Sequence, residues 1–288
     1  MTDLTPLRGP VSLFRYPRIC PFSIRFSHDS REILCGTNLN AVYIYDCIRD
    51  RLALSAEVHE TDVNAVAFAD ESSNIFFTGS DDYLCKVWDR RSLDPGNPIP
   101  VGTLVGHQGG ITFIDSMGDG RHFLSQSKDS TIKLWDIRRM EDNPETPRVD
   151  HRHDYRYGMI RRRGRGLAND MSLMTYRGHQ VQRTLIRARF SPPSTGQRYI
   201  YSGSGDGSVY IYNVLDGSIV DVLPGHRGLV RDVSWHPEKP ELASSSVRAR
   251  LALSTLFPCR PLPDTVVGVY ALRRAAPTRT QLRVCSGP

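Results

Sequence analysis

The chain has 288 residues, 39 % of them hydrophobic and 24 % charged, an ordinary composition for a soluble globular protein of one large domain or two small ones. The first twenty residues, MTDLTPLRGPVSLFRYPRIC, hold no continuous apolar run and no later stretch is long enough to span a membrane, so neither a signal peptide nor a membrane partner is expected. The formal net charge of +6 sits in residues 248–288, which carry seven Arg against the single acid Asp264; the rest of the chain is balanced, which argues against a nucleic-acid surface on its body.

In chain order, residues 1–12 show no strand pattern and read as a flexible N-terminal segment. LFRYPRI (13–19) reads as the last strand of a repeating unit that would begin before Met1. AVYIYD then ends at Asp46, CKVWD at Asp89, IKLWD at Asp136 and VYIYN at Asn213. The first two spacings are 43 and 47 residues and the last is 77, which places a polar insertion at residues 139–172 inside one repeat. VNAVAFAD and VRDVSWHP alternate apolar and polar residues, as half-buried strands do. IFFTGS and YIYSGS are apolar runs that stop at turn residues, after which KVW, KLW and VYIY resume as the next strand. The expected unit therefore has four short strands.

Further residues keep step with the strand ends. A His precedes each aromatic (His59 before Trp88, His107 before Trp135, His179 before Tyr212), and a fourth, His226, stands before a fifth repeat. A hydroxyl stands ten residues before the aromatic, at Thr78, Ser125 and Ser202, and an Asp six before it, at Asp82, Asp129 and Asp206. In a buried unit these groups can satisfy one another: the Asp accepts from the His, and the hydroxyl links the His to the indole N–H. Each set is expected to form one hydrogen-bond chain.

The pattern fails at both ends. In the first repeat Cys35 stands where the hydroxyl is expected and Leu39 where the Asp is expected, so packing must hold that unit. In the fifth, Arg248 and Ser254 occupy the Asp and Trp positions, and residues 248–288 read as a non-repeat, basic, disordered tail. Four complete repeats and half of another are thus expected in residues 13–247, with repeats missing on either side.

These residues resemble the WD-repeat family of β-propellers, over about residues 20–247. The resemblance implies an all-β propeller, here incomplete at four blades and a half of an expected seven, acting as a rigid interaction platform. GSGDGS (203–208) mimics a phosphate-binding loop, but a strand follows it where a helix would be needed, and it aligns with TGSDDY and SQSKDS as a turn. The four repeat histidines lie in different blades and cannot share a metal; His151 and His153 have no third ligand near them. No catalytic, metal or cofactor site stands out. The six cysteines are scattered without a C-x-x-C pair and read as reduced thiols of an intracellular protein. The insertion carries Arg161-Arg162-Arg163-Gly164-Arg165 with only Tyr155 and Tyr157 as aromatics, which reads as a solvated loop; a docking loop, a nuclear-import patch or an RNA contact are the sharper alternatives.

Trp-Asp-x-Arg occurs twice, as Asp89-Arg90-Arg91 and Asp136-Ile137-Arg138, at the same strand end of consecutive blades. Two forked, permanently charged donors on one face suit an interface. Consecutive motifs of this kind resemble the WD-repeat substrate receptors of cullin-4 RING ubiquitin ligases. The resemblance implies that Asp89, Arg91, Asp136 and Arg138 dock on the ligase adaptor while another surface presents protein substrates, in nucleus or cytoplasm. A scaffold of an unrelated complex and an RNA-associated propeller using the Arg161–Arg165 cluster are the other readings.

Overall fold

The computed structural model describes residues 19–142, 167–182 and 184–247 with their side chains, and residues 250–255 and 270–273 as backbone strands. The N-terminal segment, LFRYPRI apart from its last residue, His151, His153, Tyr155, Tyr157, the Arg161–Arg165 cluster and most of the tail lie outside the described residues.

The described residues form five four-stranded antiparallel sheets, each a meander of consecutive strands. The first holds β1 (Pro21–Phe26), β2 (Glu32–Thr37), β3 (Ala41–Asp46) and β4 (Arg51–Glu57). The second holds β5 (Val63–Phe68), β6 (Ile75–Ser80), β7 (Cys85–Asp89) and β8 (Gly102–Leu104). The third holds β9 (Ile111–Ser116), β10 (His122–Ser127), β11 (Ile132–Asp136) and β12 (Met174–Tyr176), with the insertion between its last two strands. The fourth holds β13 (Ala188–Phe190), β14 (Tyr199–Gly203), β15 (Val209–Asn213) and β16 (Ile219–Leu223). The fifth holds β17 (Val230–Trp235), β18 (Glu241–Ser246), β19 (Arg250–Thr255) and β20 (Tyr270–Arg273). The chain is an all-β, incomplete β-propeller.

The second and third strands of a sheet meet in a tight turn that needs one left-handed residue. Asn40, Tyr83, Ser130 and Gly207 supply it at φ of 58°, 76°, 59° and 90°. Each of the first three follows the Leu39, Asp82 or Asp129 position, so the turn repeats even where the Asp is absent. Four apolar clusters fill the spaces between successive sheets. Phe77 of the second sheet stacks on Phe123 of the third at 4.2 Å. Close approach demands small residues on the second strand. A Cβ at Gly79 would stand 2.5 Å from Ile111 Cγ2 of the next sheet, and one at Gly203 only 2.3 Å from the Val230 carbonyl. The third sheet carries Gln126 at this position instead, with consequences described below. In the degenerate first sheet Leu34, Val42 and Ile44 are fully buried, and Thr37 Oγ1 donates to the Ala41 carbonyl at 3.0 Å across the turn.

Two short segments of the tail form strands although the repeat residues are absent. Residues 250–255 pair with β18 in continuous register, and residues 270–273 pair with 250–253 in turn. Arg-Leu-Ala-Leu-Ser-Thr lacks the Asp and Trp but keeps a two-residue apolar alternation, which is what a strand needs to extend the exposed edge of β18. The described residues at the two ends of the insertion are paired as well. Thr103 of β8 exchanges both backbone hydrogen bonds with Glu141, at 2.8 and 3.1 Å, and the Met171 N–H donates to the Val105 carbonyl at 2.9 Å.

Candidate functional site

Two of the three buried chains form as continuous sets. In the second sheet Trp88 Nε1 donates to Thr78 Oγ1 at 2.9 Å, Thr78 Oγ1 lies 2.6 Å from His59 Nε2, and His59 Nδ1 lies 2.7 Å from Asp82 Oδ2. In the third, Trp135 Nε1 donates to Ser125 Oγ at 2.7 Å, Ser125 Oγ lies 2.7 Å from His107 Nε2, and His107 Nδ1 lies 3.1 Å from Asp129 Oδ2. Burial lowers the His59 pKa despite the neighbouring Asp82. Burial disfavours the charged carboxylates of Asp82 and Asp129, but their His partners and hydrogen bonds outweigh it and hold both below the ordinary range.

The fourth sheet does not form the expected chain. Tyr212 stands in the Trp position, and its hydroxyl reaches His179 directly: it lies 2.9 Å from Nδ1 and 3.3 Å from the donating His179 N–H. Asp206 is exposed and accepts from Tyr210 Oη at 2.8 Å. Ser202 Oγ receives Gln126 Nε2 from the third sheet at 2.9 Å and donates to the Gly203 carbonyl at 2.8 Å. In the fifth sheet His226 Nε2 keeps its hydroxyl, Ser244 Oγ, at 2.7 Å.

The strand-end residues show why Asp follows the aromatic. Asp46, Asp89, Asp136 and Asn213 each end the third strand of a sheet, opposite Glu32, Ile75, His122 and Tyr199. Each uses Oδ1 to accept from the N–H two residues on: Ile48 at 3.0 Å, Arg91 at 3.0 Å, Arg138 at 3.0 Å and Leu215 at 2.9 Å. This is an Asx turn, and it recurs whatever residue follows. The strand-end residue is thus a turn former in four sheets, an Asp in three and Asn213 in the fourth, and only the second and third have an Arg two residues on.

Both Arg side chains are exposed, but they are unequal. Arg91 lays its fork on Asp89, with Nε 2.9 Å from Oδ1 and Nη2 2.5 Å from Oδ2. In the third sheet the carboxylate of Asp136 is taken by Arg121, whose Nε lies 2.9 Å from Oδ1. Among the described residues the Arg138 guanidinium therefore has no ion pair. The expectation of two matching forks meets a local difference: Arg121 precedes the residue opposite Asp136, and the uncharged Asn74 holds that place in the second sheet. The Arg91 hydrogen bonds pull Asp89 down to about 2, and those of Arg121 do the same for Asp136, so both acids are charged at neutral pH.

The neighbouring Arg90 went unnoticed in the sequence. Its fork reaches Glu32 of the first sheet, with Nη2 2.9 Å from Oε1, and so ties two sheets together beneath the Asp-x-Arg corner. Only the packing of the first sheet against the second reveals it. Beside this pair lies an open cleft of about 580 Å³, lined by Asp46, Arg49, Glu71 and Arg90 among others. Its charges of both signs suit a polar protein surface rather than an apolar cofactor. No group of His, Cys, Asp and Glu among the described residues is placed to hold a metal.

A model of the WD domain, G-beta repeat, matches residues 52–89, 98–136, 171–213 and 217–248, just over half of the chain. The LEC14B protein of Lithospermum erythrorhizon is 52 % identical over 231 residues, covering 78 % of this chain and 48 % of that protein. The DDB1- and CUL4-associated factor 11 homolog of Caenorhabditis briggsae is 43 % identical over 236 residues, covering 78 % and 42 %. The U5 small nuclear ribonucleoprotein 40 kDa protein of Dictyostelium discoideum is 31 % identical over 255 residues, covering 82 % and 69 %. The chain spans about half the length, or less, of the first two relatives. Repeated sheets, repeated Asx turns and the matched segments agree: the chain belongs to the WD-repeat family.

Proposed function

We propose that the chain is the WD-repeat portion of a substrate receptor for a cullin-4 RING ubiquitin ligase, with no catalytic residue of its own. The observation that carries this reading is the 43 % identity over 236 residues with a protein named for association with DDB1 and CUL4. Arg91 and Arg138 are the proposed adaptor contacts. Asp89 and Asp136 act behind them, fixing the Arg backbones through the Asx turns. Arg138 is open to an acid of the adaptor, while Arg91 exchanges Asp89 for one; an exposed pair of this kind is weak and readily exchanged. The chemistry belongs to the ligase. The receptor holds a target protein so that its Lys meets the ubiquitin-conjugating enzyme at high effective concentration. This reading places the chain in the nucleus, the cytoplasm or both.

The test is co-purification from cells of the tagged chain and an Arg91→Ala/Arg138→Ala variant, probed for the adaptor. Capture by the parent and loss by an equally soluble variant supports the receptor and both contacts. Equal capture by both removes the two Arg from the interface. No capture by a soluble parent turns the reading towards a WD-repeat scaffold of another complex, the kind of role that the name of the Dictyostelium relative suggests for that protein.

A further inference from the structure

Arg25 of β1 donates from Nη2 to the Ile114 carbonyl on β9 at 3.2 Å, reaching from the first sheet to the third past the second. The first strands of neighbouring sheets also touch, β1 with β5, β5 with β9 and β9 with β13. They therefore gather round a common inner axis. Arg25, Asp115 and Arg189 hold the same register position on the first strands of three sheets. Three guanidiniums converge there on one ring: the Cζ atoms of Arg25, Arg187 and Arg189 lie 4.7, 5.5 and 5.5 Å from the centroid of buried Phe113.

Two carboxylates accompany them. Asp115 lies 3.8 Å from Arg25 and accepts from the Phe190 N–H at 3.1 Å. Asp232 lies 2.9 Å from Arg187 Nη1 and 3.5 Å from Arg189 Nη2. Three permanent cations thus face two acids, one positive charge in surplus. The Arg189 Nε is buried and makes no hydrogen bond among the described residues. An unmatched guanidinium and an unused buried N–H are both costly, and the ring face offsets only part of that cost. The five charged side chains remain 24 to 36 % exposed, so the cluster is reachable from solvent.

The missing complement is one negative charge with two planar oxygens that match a guanidinium fork. A carboxylate balances the cluster at three charges of each sign, whereas a phosphate dianion overshoots it. We infer that the inner ring of first strands is a binding site for a single carboxylate group, carried by a polypeptide or by a free organic acid. This site does not depend on the ligase reading, since Arg91 and Arg138 take no part in it.

The test is titration calorimetry on the full chain. The probes are a capped glycine-rich peptide with one glutamate, its glutamine twin, propionate and inorganic phosphate. The variants are Arg189→Gln and Asp232→Asn. The site predicts binding of a carboxylate probe that weakens about tenfold in Arg189→Gln and tightens about tenfold in Asp232→Asn, which leaves two Arg forks unopposed. Misfolding cannot produce these opposite signs. Binding of the glutamate peptide without propionate assigns a polypeptide source, and binding of propionate assigns a free acid; both support the site. Binding of phosphate alone, no binding of either carboxylate, or shifts of the same sign in both variants would overturn it.

Discussion

The second and third sheets bury a Trp at the position where the fourth buries a Tyr, and everything around it changes. An indole N–H can only donate. Thr78 must therefore accept from Trp88, turn its own hydrogen to His59 Nε2, and leave the His59 proton on Nδ1 against Asp82. The direction of each bond follows from the first. A phenol both donates and accepts, and it is a different length. Tyr212 reaches His179 without a hydroxyl between them, which releases Ser202 to the Gln126 side chain of the third sheet and Asp206 to Tyr210. A matched position in a repeat thus names a place, and the neighbouring side chains decide the bond.

The sharpest way to break this contrast is to remove the same Asp from both kinds of sheet. Asp82 is buried against His59 and also accepts the Leu84 N–H at 3.0 Å. Asp82→Ala strands two donors, and a loss of about 2 to 3 kcal/mol is expected. Asp206 is exposed, and Asp206→Ala is expected to cost less than about 0.5 kcal/mol. Urea midpoints of the two variants measure the difference. Equal losses would mean that Asp206 belongs to a buried network after all.

A smaller effect separates the sheets by pH. His59 has its folded pKa lowered from 6.5 by burial, so the unfolded chain binds a proton more readily than the folded one in the window below 6.5. Its contribution is present above 6.5 and is lost as pH falls, by at most about 1.4 kcal/mol per pH unit. Asp82, with its pKa lowered, adds a loss only at more acid pH, below its ordinary 3.8. Urea denaturation at pH 7.5 and 5.5 is expected to show the drop, and His59→Gln to flatten it. A slope unchanged by that substitution would place the titration elsewhere.

Much of this was readable in the residues because the repeat reports on local geometry. The Asp82 and Asp129 turns and the Trp88 and Trp135 ends recur at fixed offsets since each serves its own sheet. What was not readable depends on contacts between sheets or on unlike neighbours. Gln126 stands where the first, second and fourth sheets have Gly, and only the packing of the third sheet on the fourth shows that it captures Ser202. Arg121 takes Asp136 from Arg138 across a turn, fifteen residues away in sequence. The strands at 250–255 and 270–273 lack the repeat residues altogether and are held by pairing with an edge. The inner cluster of Arg25, Arg187 and Arg189 comes from two sheets whose strands meet only round the axis. Its sequence signal, Arg-Phe at 25–26 and again at 189–190 in equal register, is visible only once the strands are aligned.

The subtlest consequence of the Trp-to-Tyr exchange is where each imidazole keeps its proton. In the Trp sheets the donor chain runs from indole to hydroxyl to Nε2, so neutral His59 and His107 carry hydrogen on Nδ1. In the fourth sheet the Tyr212 oxygen accepts the His179 backbone N–H at 3.3 Å, and its own hydrogen is free to turn to Nδ1 at 2.9 Å. Neutral His179 is then expected to carry hydrogen on Nε2. Imidazole nitrogen shifts, recorded well above the ordinary His pKa, report the tautomer directly. Two histidines of one form and one of the other are expected, and Tyr212→Phe, which removes the donor, is expected to release His179 from its form while leaving His59 and His107 unchanged. Finding all three on Nδ1 would show that the fourth sheet keeps the donor direction of its neighbours, and that Tyr212 is an acceptor there and nothing more.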